Sequence, residues 1–296
     1  MKNKKVSVIC TVLNEKDTIR YFIDSIINQT KKPNEFIIVD GGSKDKTYMI
    51  LKKFSRKYKW IKIFQKKGAN ISQGRNYAIK KAKNEIIASI DAGGEYKKDW
   101  LEKLYKGFNG EVSFGVDKPR IKNEFQKILA KKVLHKNVPG SSRNMIFLKK
   151  AWKEIGGYPE DMVIGEDSLY DEKLKEAGYK ISKVSDAICY WEMRDNLEQV
   201  KNQYYRYGYW DGVAYRKYRI VPLKTKIVVV GLTALIPLYP LGRIVSMFSL
   251  SFKIDFIRRF TFLKGFWKGF FLMEEFKNKR NKTKSLLIKK RIGKLR

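Results

Sequence analysis

Short apolar runs and longer amphipathic stretches alternate along the first ninety residues. VSVICTVL (6–13) is β-branched and almost free of polar side chains, the pattern of a strand buried on both faces. DTIRYFIDSIINQT (17–30) follows, with Ile19, Phe22, Ile23, Ile26 and Ile27 spaced to share one helical face. The pair recurs as FIIVD (36–40) with YMILKKFSRKY (48–58), then as WIKIF (60–64) with SQGRNYAIKKA (72–82), before a fourth strand, EIIASID (85–91). Strands alternating with helices of this length predict an α/β, mostly parallel, doubly wound sheet flanked by helices.

The alternation loosens after residue 91. Helices are expected at 99–108, 124–134 and 167–178, the last closed by Gly178 as a left-handed cap. Strands are expected at 112–116 and from Asn144, with YKISKV and AICYW as two further short ones, and 196–218 reads as a polar, Tyr-rich helix. From 221 the pattern changes. IVVVGLTALIPLYPLG (227–242) is uncharged but broken by Pro237 and Pro240, and Arg243 follows it. A straight crossing needs about 20 apolar residues, so this run predicts a hairpin or a re-entrant, monotopic anchor. FIRRFTFLKGFWKGFFLMEEF (256–276) has the Phe, Trp, Lys and Arg content of an interfacial amphipathic helix, and a basic tail ends the chain. The expected division is 1–218 and 219–296.

Composition narrows the partners. The chain has 296 residues, 64 Lys+Arg against 30 Asp+Glu, and a net charge of +34. Such a charge suits nucleic acid, an anionic membrane surface or phosphorylated small molecules. Two Cys rule out a disulfide framework, and the single His, His135, rules out a multi-His metal centre. The start, MKNKKVSVIC, is apolar too briefly for a secretory signal.

Ligands of parallel α/β sheets bind at the carboxyl ends of the strands. There the chain places Asn14-Glu15, Asp40-Gly41-Gly42 through Thr47, and Asp91-Ala92-Gly93-Gly94-Glu95. Neither a G-x-G-x-x-G turn nor a P-loop occurs. Acidic residues at strand ends can instead hydrogen-bond a base or ribose, or hold a divalent cation beside a diphosphate. Arg75, in SQGRN just ahead of a helix, has the planar guanidinium suited to a diphosphate. Asp40 and Asp45 read equally well as turn residues.

TVLNE, IIVDGGSKDKT, GRN and SIDAGGE, followed by SSRNMIF, EIGGYPEDMVIGEDSLYDEKLKEAGYKI and QYYRYG, resemble an inverting family-2 glycosyltransferase of GT-A fold over residues 5–210. The resemblance implies a catalytic domain over 1–218 and a nucleotide-diphosphate-sugar donor, a UDP- or GDP-sugar. Its base would lie near Leu13, Asn14, Glu15, Asp40 and Gly41, and its diphosphate near Arg75, Asp91, Ala92 and Gly93. Asp167 is implied as general base, with Glu166 orienting the acceptor or the base; the competing role for Asp167 is a helix N-cap. Ser141, Ser142 and Arg143 resemble an acceptor-side loop, and Gln203 and Arg206 a Q-x-x-R-W motif with Tyr207 in place of Trp. The family often has Asp-x-Asp where this chain has Asp91-Ala92-Gly93, the form of a DAG-variant subgroup. Mg²⁺ or Mn²⁺ is expected on Asp91 with the diphosphate, helped by Glu95 or replaced by Arg75 and lysines.

One carboxylate suffices for an inverting transfer, because a nucleotide diphosphate departs without protonation when a cation stabilises it. The expected acceptor is a lipid-linked glycan or a polyprenyl phosphate at the cytoplasmic membrane face, with anionic lipids rather than nucleic acid as partners. The competing class is a membrane- or RNA-binding scaffold on a degenerate GT-A fold.

Overall fold

The first four strands lie where the apolar runs put them: β1 (Val6–Val12), β2 (Glu35–Asp40), β3 (Ile61–Gln65) and β4 (Ile86–Asp91). They pair in parallel in the order β3-β2-β1-β4. In this computed structural model the described residues are 4–133, 141–219 and 249–292, with single positions 229, 233, 240 and 244; side chains are described as far as Phe271. Three helices connect the strands: α1 (Ile19–Ile27), α2 (Thr47–Lys57) and α3 (Ile71–Lys81). α1 buries Ile19, Phe22, Ile23 and Ile26, four of the five apolar positions that its sequence period puts on one face. α3 opens with a reciprocal capping box between Asn70 and Gln73.

The parallel arrangement stops there. β5 (Gly94–Tyr96), α4 (Trp100–Lys106), β6 (Val112–Arg120), α5 (Glu124–Val133), β7 (Asn144–Leu148), α6 (Lys149–Glu154), α7 (Glu166–Glu176) and β8 (Ile181–Glu192) complete the first unit. The sheet has eight strands in the order β3-β2-β1-β4-β7-β6-β8-β5. β7 runs antiparallel to both β4 and β6, β6 and β8 are parallel, and β5 is antiparallel to β8. The sheet is therefore mixed beyond its parallel half. Apolar runs report that a strand is buried, not which way it points. The two short strands expected after Tyr179 are one strand, β8, whose pairing to β6 shifts register between Phe114 and Val116. Gly115 stands at that bulge, where a Cβ would collide with the Ala187 carbonyl and the Asn144 side chain.

Side chains pack on both faces of the sheet. On one, Val8, Cys10 and Val12 meet Phe22, Ile23, Trp100 and Leu104; on the other, Ile9 and Val39 meet Ala78, Ile79, Phe147 and Tyr170. Each Val, Leu, Ile or Phe among them contributes about 1.5–3 kcal/mol on burial. α3 lies close on β1 because Gly74 has no Cβ to overlap the Thr11 side chain, which sets Arg75 against the sheet.

The chain divides into two units between Asp195 and Asn196, not after residue 218. The helix expected to close the first unit belongs to the second, because α8 (Leu197–Tyr218) packs along α9 (Leu250–Ile292). Thirteen of the sixteen residues of 227–242, together with Arg243, His135 and Gly140, lie outside the described residues, as do the side chains of the basic tail. No described helix is long and apolar enough to cross a membrane.

Candidate active site

The carboxyl ends of β1 and β2 carry a rigid, polar rim. Asn14 adopts a left-handed conformation (φ 57°), and its side chain accepts from the Lys44 amide at 2.9 Å while its own amide donates to Ser43 Oγ. The Glu15 amide donates to Thr47 Oγ1 and its carboxylate accepts from Thr18 Oγ1 at 2.6 Å. Asp40 Oδ1 accepts from the amides of Gly42 and Ser43 and from Gln65, whereas its Oδ2 is buried without a partner. Asp40 thus shapes its turn with one oxygen and leaves the other unpaired. Asp45 takes only the turn role, accepting from the amides of Thr47 and Lys16. Leu13, 54% exposed, and Gly41, hydrogen-bonded to Val12, lie beside Asp40.

Arg75 is 2% exposed and does not lie open to a diphosphate. Nη1 donates to Glu166 Oε1 at 2.6 Å and Nη2 to Asp91 Oδ1 at 2.7 Å, with the guanidinium over the Tyr158 ring. One buried cation therefore joins the end of β4 to the start of α7. Burial alone would raise the Asp91 carboxyl, but Arg75 and then Arg143 hold it below the usual carboxylate range. For Glu166, burial and then the neighbouring Asp167 push the carboxyl up to about 7, against the pull of Arg75.

On the other side of Asp91 stands Arg143, its Nε 3.8 Å from Asp91 and 3.9 Å from Asp117 and its guanidinium over the Trp191 ring. Asp117 is a site residue that the sequence reading missed. Burial raises its carboxyl above the usual range, and its Oδ1 is buried without a partner. Ser141 Oγ donates to Asp117 at 3.0 Å, and Ser142 Oγ shares a 2.9 Å hydrogen bond with the Tyr158 hydroxyl. Both serines are spent on holding neighbours. Tyr96, also missed, donates its hydroxyl to the Arg143 carbonyl and accepts from the Asp91 amide.

Asp167 is not the N-cap of α7. That position belongs to Gly165, which is left-handed (φ 76°). Asp167 lies in the first turn, half-buried, and its Oδ1 accepts from the Ser168 amide. Gln203 and Arg206 belong to the second unit, on α8, where Gln203 donates to the Tyr207 hydroxyl.

The fit of a divalent cation rests on Asp91. Its Oδ1 is taken by Arg75, while Oδ2 has no neighbour nearer than Arg143 at 3.8 Å among its ion pairs. Ala92 turns into the core, Gly93 brings no carboxylate and Glu95 pairs with Arg120. Among the described residues no three His, Cys, Asp or Glu side chains gather around a common point. The protein therefore fits a cation through one oxygen, with the remaining ligands coming from the donor and water.

The family model described as Glycosyl transferase family 2 matches residues 7–176. This chain belongs to glycosyl transferase family 2. Among its relatives is the cholesterol galactosyltransferase of Borreliella burgdorferi, 36% identical over 101 residues, a match spanning 34% of this chain and 28% of that protein. The glycosyltransferase AglE of Haloferax volcanii is 25% identical over 216 residues, 67% of this chain and 70% of the relative. Among solved structures, the mannosyltransferase PcManGT of Pyrobaculum calidifontis, in complex with GDP-Man and Mn²⁺, superposes with a TM-score of 0.66 at 17% identity, covering 91% of this chain and 88% of that one. TarS 1–349 of S. aureus, in complex with UDP-GlcNAc, gives 0.52 at 21% identity, with 68% and 66% covered. At these identities the likeness is one of fold, and the mixed sheet of this family 2 chain fits the GT-A architecture.

Proposed function

We propose that this chain transfers a sugar from a UDP- or GDP-sugar to a lipid-linked acceptor with inversion at the anomeric carbon. The observation that carries the reading is the buried Arg75 bridge, which fixes Asp91, at the donor end of β4, relative to the Glu166-Asp167 pair. The donor complexes of TarS and PcManGT support a nucleoside diphosphate sugar. The cholesterol galactosyltransferase relative supports an acceptor of lipid character.

In this reading the unpaired Asp40 oxygen accepts from the base, and Leu13 packs beside it. Arg143 offers its guanidinium to the diphosphate. Asp167 takes the proton of the acceptor hydroxyl as the acceptor oxygen forms its bond to the anomeric carbon. The bond to the diphosphate breaks, and the nucleoside diphosphate leaves with the electron pair. Mg²⁺ or Mn²⁺ on Asp91, when bound, supplies charge neutralisation to that leaving group. Arg75 and Glu166 position these groups without touching the reacting atoms.

A polyprenyl phosphate acceptor is already an anion and has little need of a base. Asp167→Asn separates the two acceptors, because only transfer to a hydroxyl collapses. The placement at the cytoplasmic membrane face follows from the charge of +34 and the aromatic, basic sequence of 256–276. Hydrogen exchange with a panel of UDP- and GDP-sugars tests donor binding. Protection of the segments around Asp40, Arg75 and Asp91 by one donor is expected, and no protection by any would favour a non-catalytic scaffold.

A further inference from the structure

The second unit holds a feature that sugar transfer at the sheet does not use. α8 and α9 meet backbone to backbone through two reciprocal glycine pairs, each four residues apart. A Cβ on Gly208 or Gly212 would collide with the carbonyls of Phe262 and Phe266, and one on Gly265 or Gly269 with those of Tyr205 and Tyr209. Such small-residue contacts pack helices without needing water to drive them together, and are favoured where the surroundings are apolar. Beside this seam runs an open groove of about 700 Å³, lined by Tyr205, Phe256, Phe260 and Trp267 with Lys201 and Lys264 among its polar residues. Leu250, Phe252 and Phe271 are exposed on the same helix. With the aromatic lining of the groove they leave apolar side chains uncovered along much of this helix.

The occupant is identified by charge as well as by apolarity. Lys264 is exposed, and Lys201 is exposed with Glu198, 3.4 Å away on its own helix, as its ion-pair partner among the described residues. Lys268 lies over the Tyr205 ring, and Arg258 over Tyr204. Aromatic rings interleaved with cationic side chains match the boundary between acyl chains and anionic headgroups. We propose that the groove between α8 and α9 takes a hydrocarbon chain of an anionic membrane lipid, with Lys201 and Lys264 meeting its phosphate. The proposal gives a site to the lipid side of the reading above, on which it rests for its place in the reaction.

The test uses the full chain and vesicles of phosphatidylcholine and phosphatidylglycerol with brominated acyl chains, which quench indole on contact. Trp267 is one of six tryptophans, so Trp267→Phe isolates its share. Quenching is expected, with a large part of it lost in Trp267→Phe. Lys201→Glu with Lys264→Glu should need several-fold more lipid for the half-maximal effect, with helix content unchanged by circular dichroism. Vesicle binding without Trp267-dependent quenching would overturn the proposal and leave attachment to the basic tail alone. Equal quenching by phosphatidylcholine vesicles would remove the anionic headgroup from it. Donor protection in the same preparations keeps the two readings apart: donor binding without quenching sinks only the groove, and quenching without donor binding sinks only the transferase.

Discussion

Arg75 shows how a residue can be found by its sequence context and still do something else. Its position ahead of a helix suggests a phosphate ligand, but burial between two carboxylates makes it a structural bridge. Arg75→Met would leave Glu166 buried without its cation and Asp91 with only the more distant Arg143. The expected loss is about 3–5 kcal/mol of stability, read from the urea midpoint at constant m-value. Glu166 carries the pH signature of the same bridge. Its carboxyl rises from 4.5 to about 7 on folding, so the native state holds the extra proton in that window. Stability from this group is present below 4.5 and is lost as pH rises through 7. Wild type should lose stability relative to Glu166→Gln between those values in a pH series of unfolding curves; parallel curves would contradict it. Gly93 offers a gain-of-function check. A Cβ there meets no atom within 4 Å, so Gly93→Asp should fold normally and tighten Mn²⁺ binding several-fold by calorimetry in the presence of a nucleoside diphosphate. The strand-end rule points to Asp40 and Asp91, and the family resemblance alone to Asp167. Asp117 was not legible, because the apolar run suggests a strand ending at 116, whereas β6 continues to Arg120 beyond its bulge.

At the scale of elements, period and capping reveal where strands and helices lie but say little about direction or partner. The four parallel strands follow from their repeated βα units, each buried on both faces. β5 is only three residues long and lies in a segment rich in glycine, so no periodicity could announce it. The bulge at Gly115 was equally silent, since a lone glycine in a strand has several readings. Gly115→Val should cost about 1–3 kcal/mol through overpacking and disturb Asp117, measurable as a lowered midpoint together with weakened donor protection. The α8–α9 contact is a matter of pairing, and the glycine spacing of four in both helices is its only sequence trace. Gly265→Ala, which sets a methyl group against the Tyr205 carbonyl, should melt that pair before the sheet unit in hydrogen exchange; simultaneous loss would contradict the division at Asp195.

For the whole molecule, the charge of +34 divides between two tasks. In the sheet unit the buried Arg75 and the half-buried Arg143 organise carboxylates around the proposed donor site. The second unit gathers lysines beside an apolar groove. The boundary at Asp195 assigns the Tyr-rich helix to that second task, a shift invisible in the sequence because its polar face continues the composition of the first unit. The most direct test of the transferase itself is nucleoside diphosphate release from UDP- and GDP-sugars with membrane lipid extract as acceptor, wild type against Asp167→Asn. Acceptor-dependent release from one donor is expected, falling by about 10²–10⁴-fold in the variant while donor protection stays unchanged. Equal release by both proteins would contradict Asp167 as the base, and release from no donor would contradict sugar transfer.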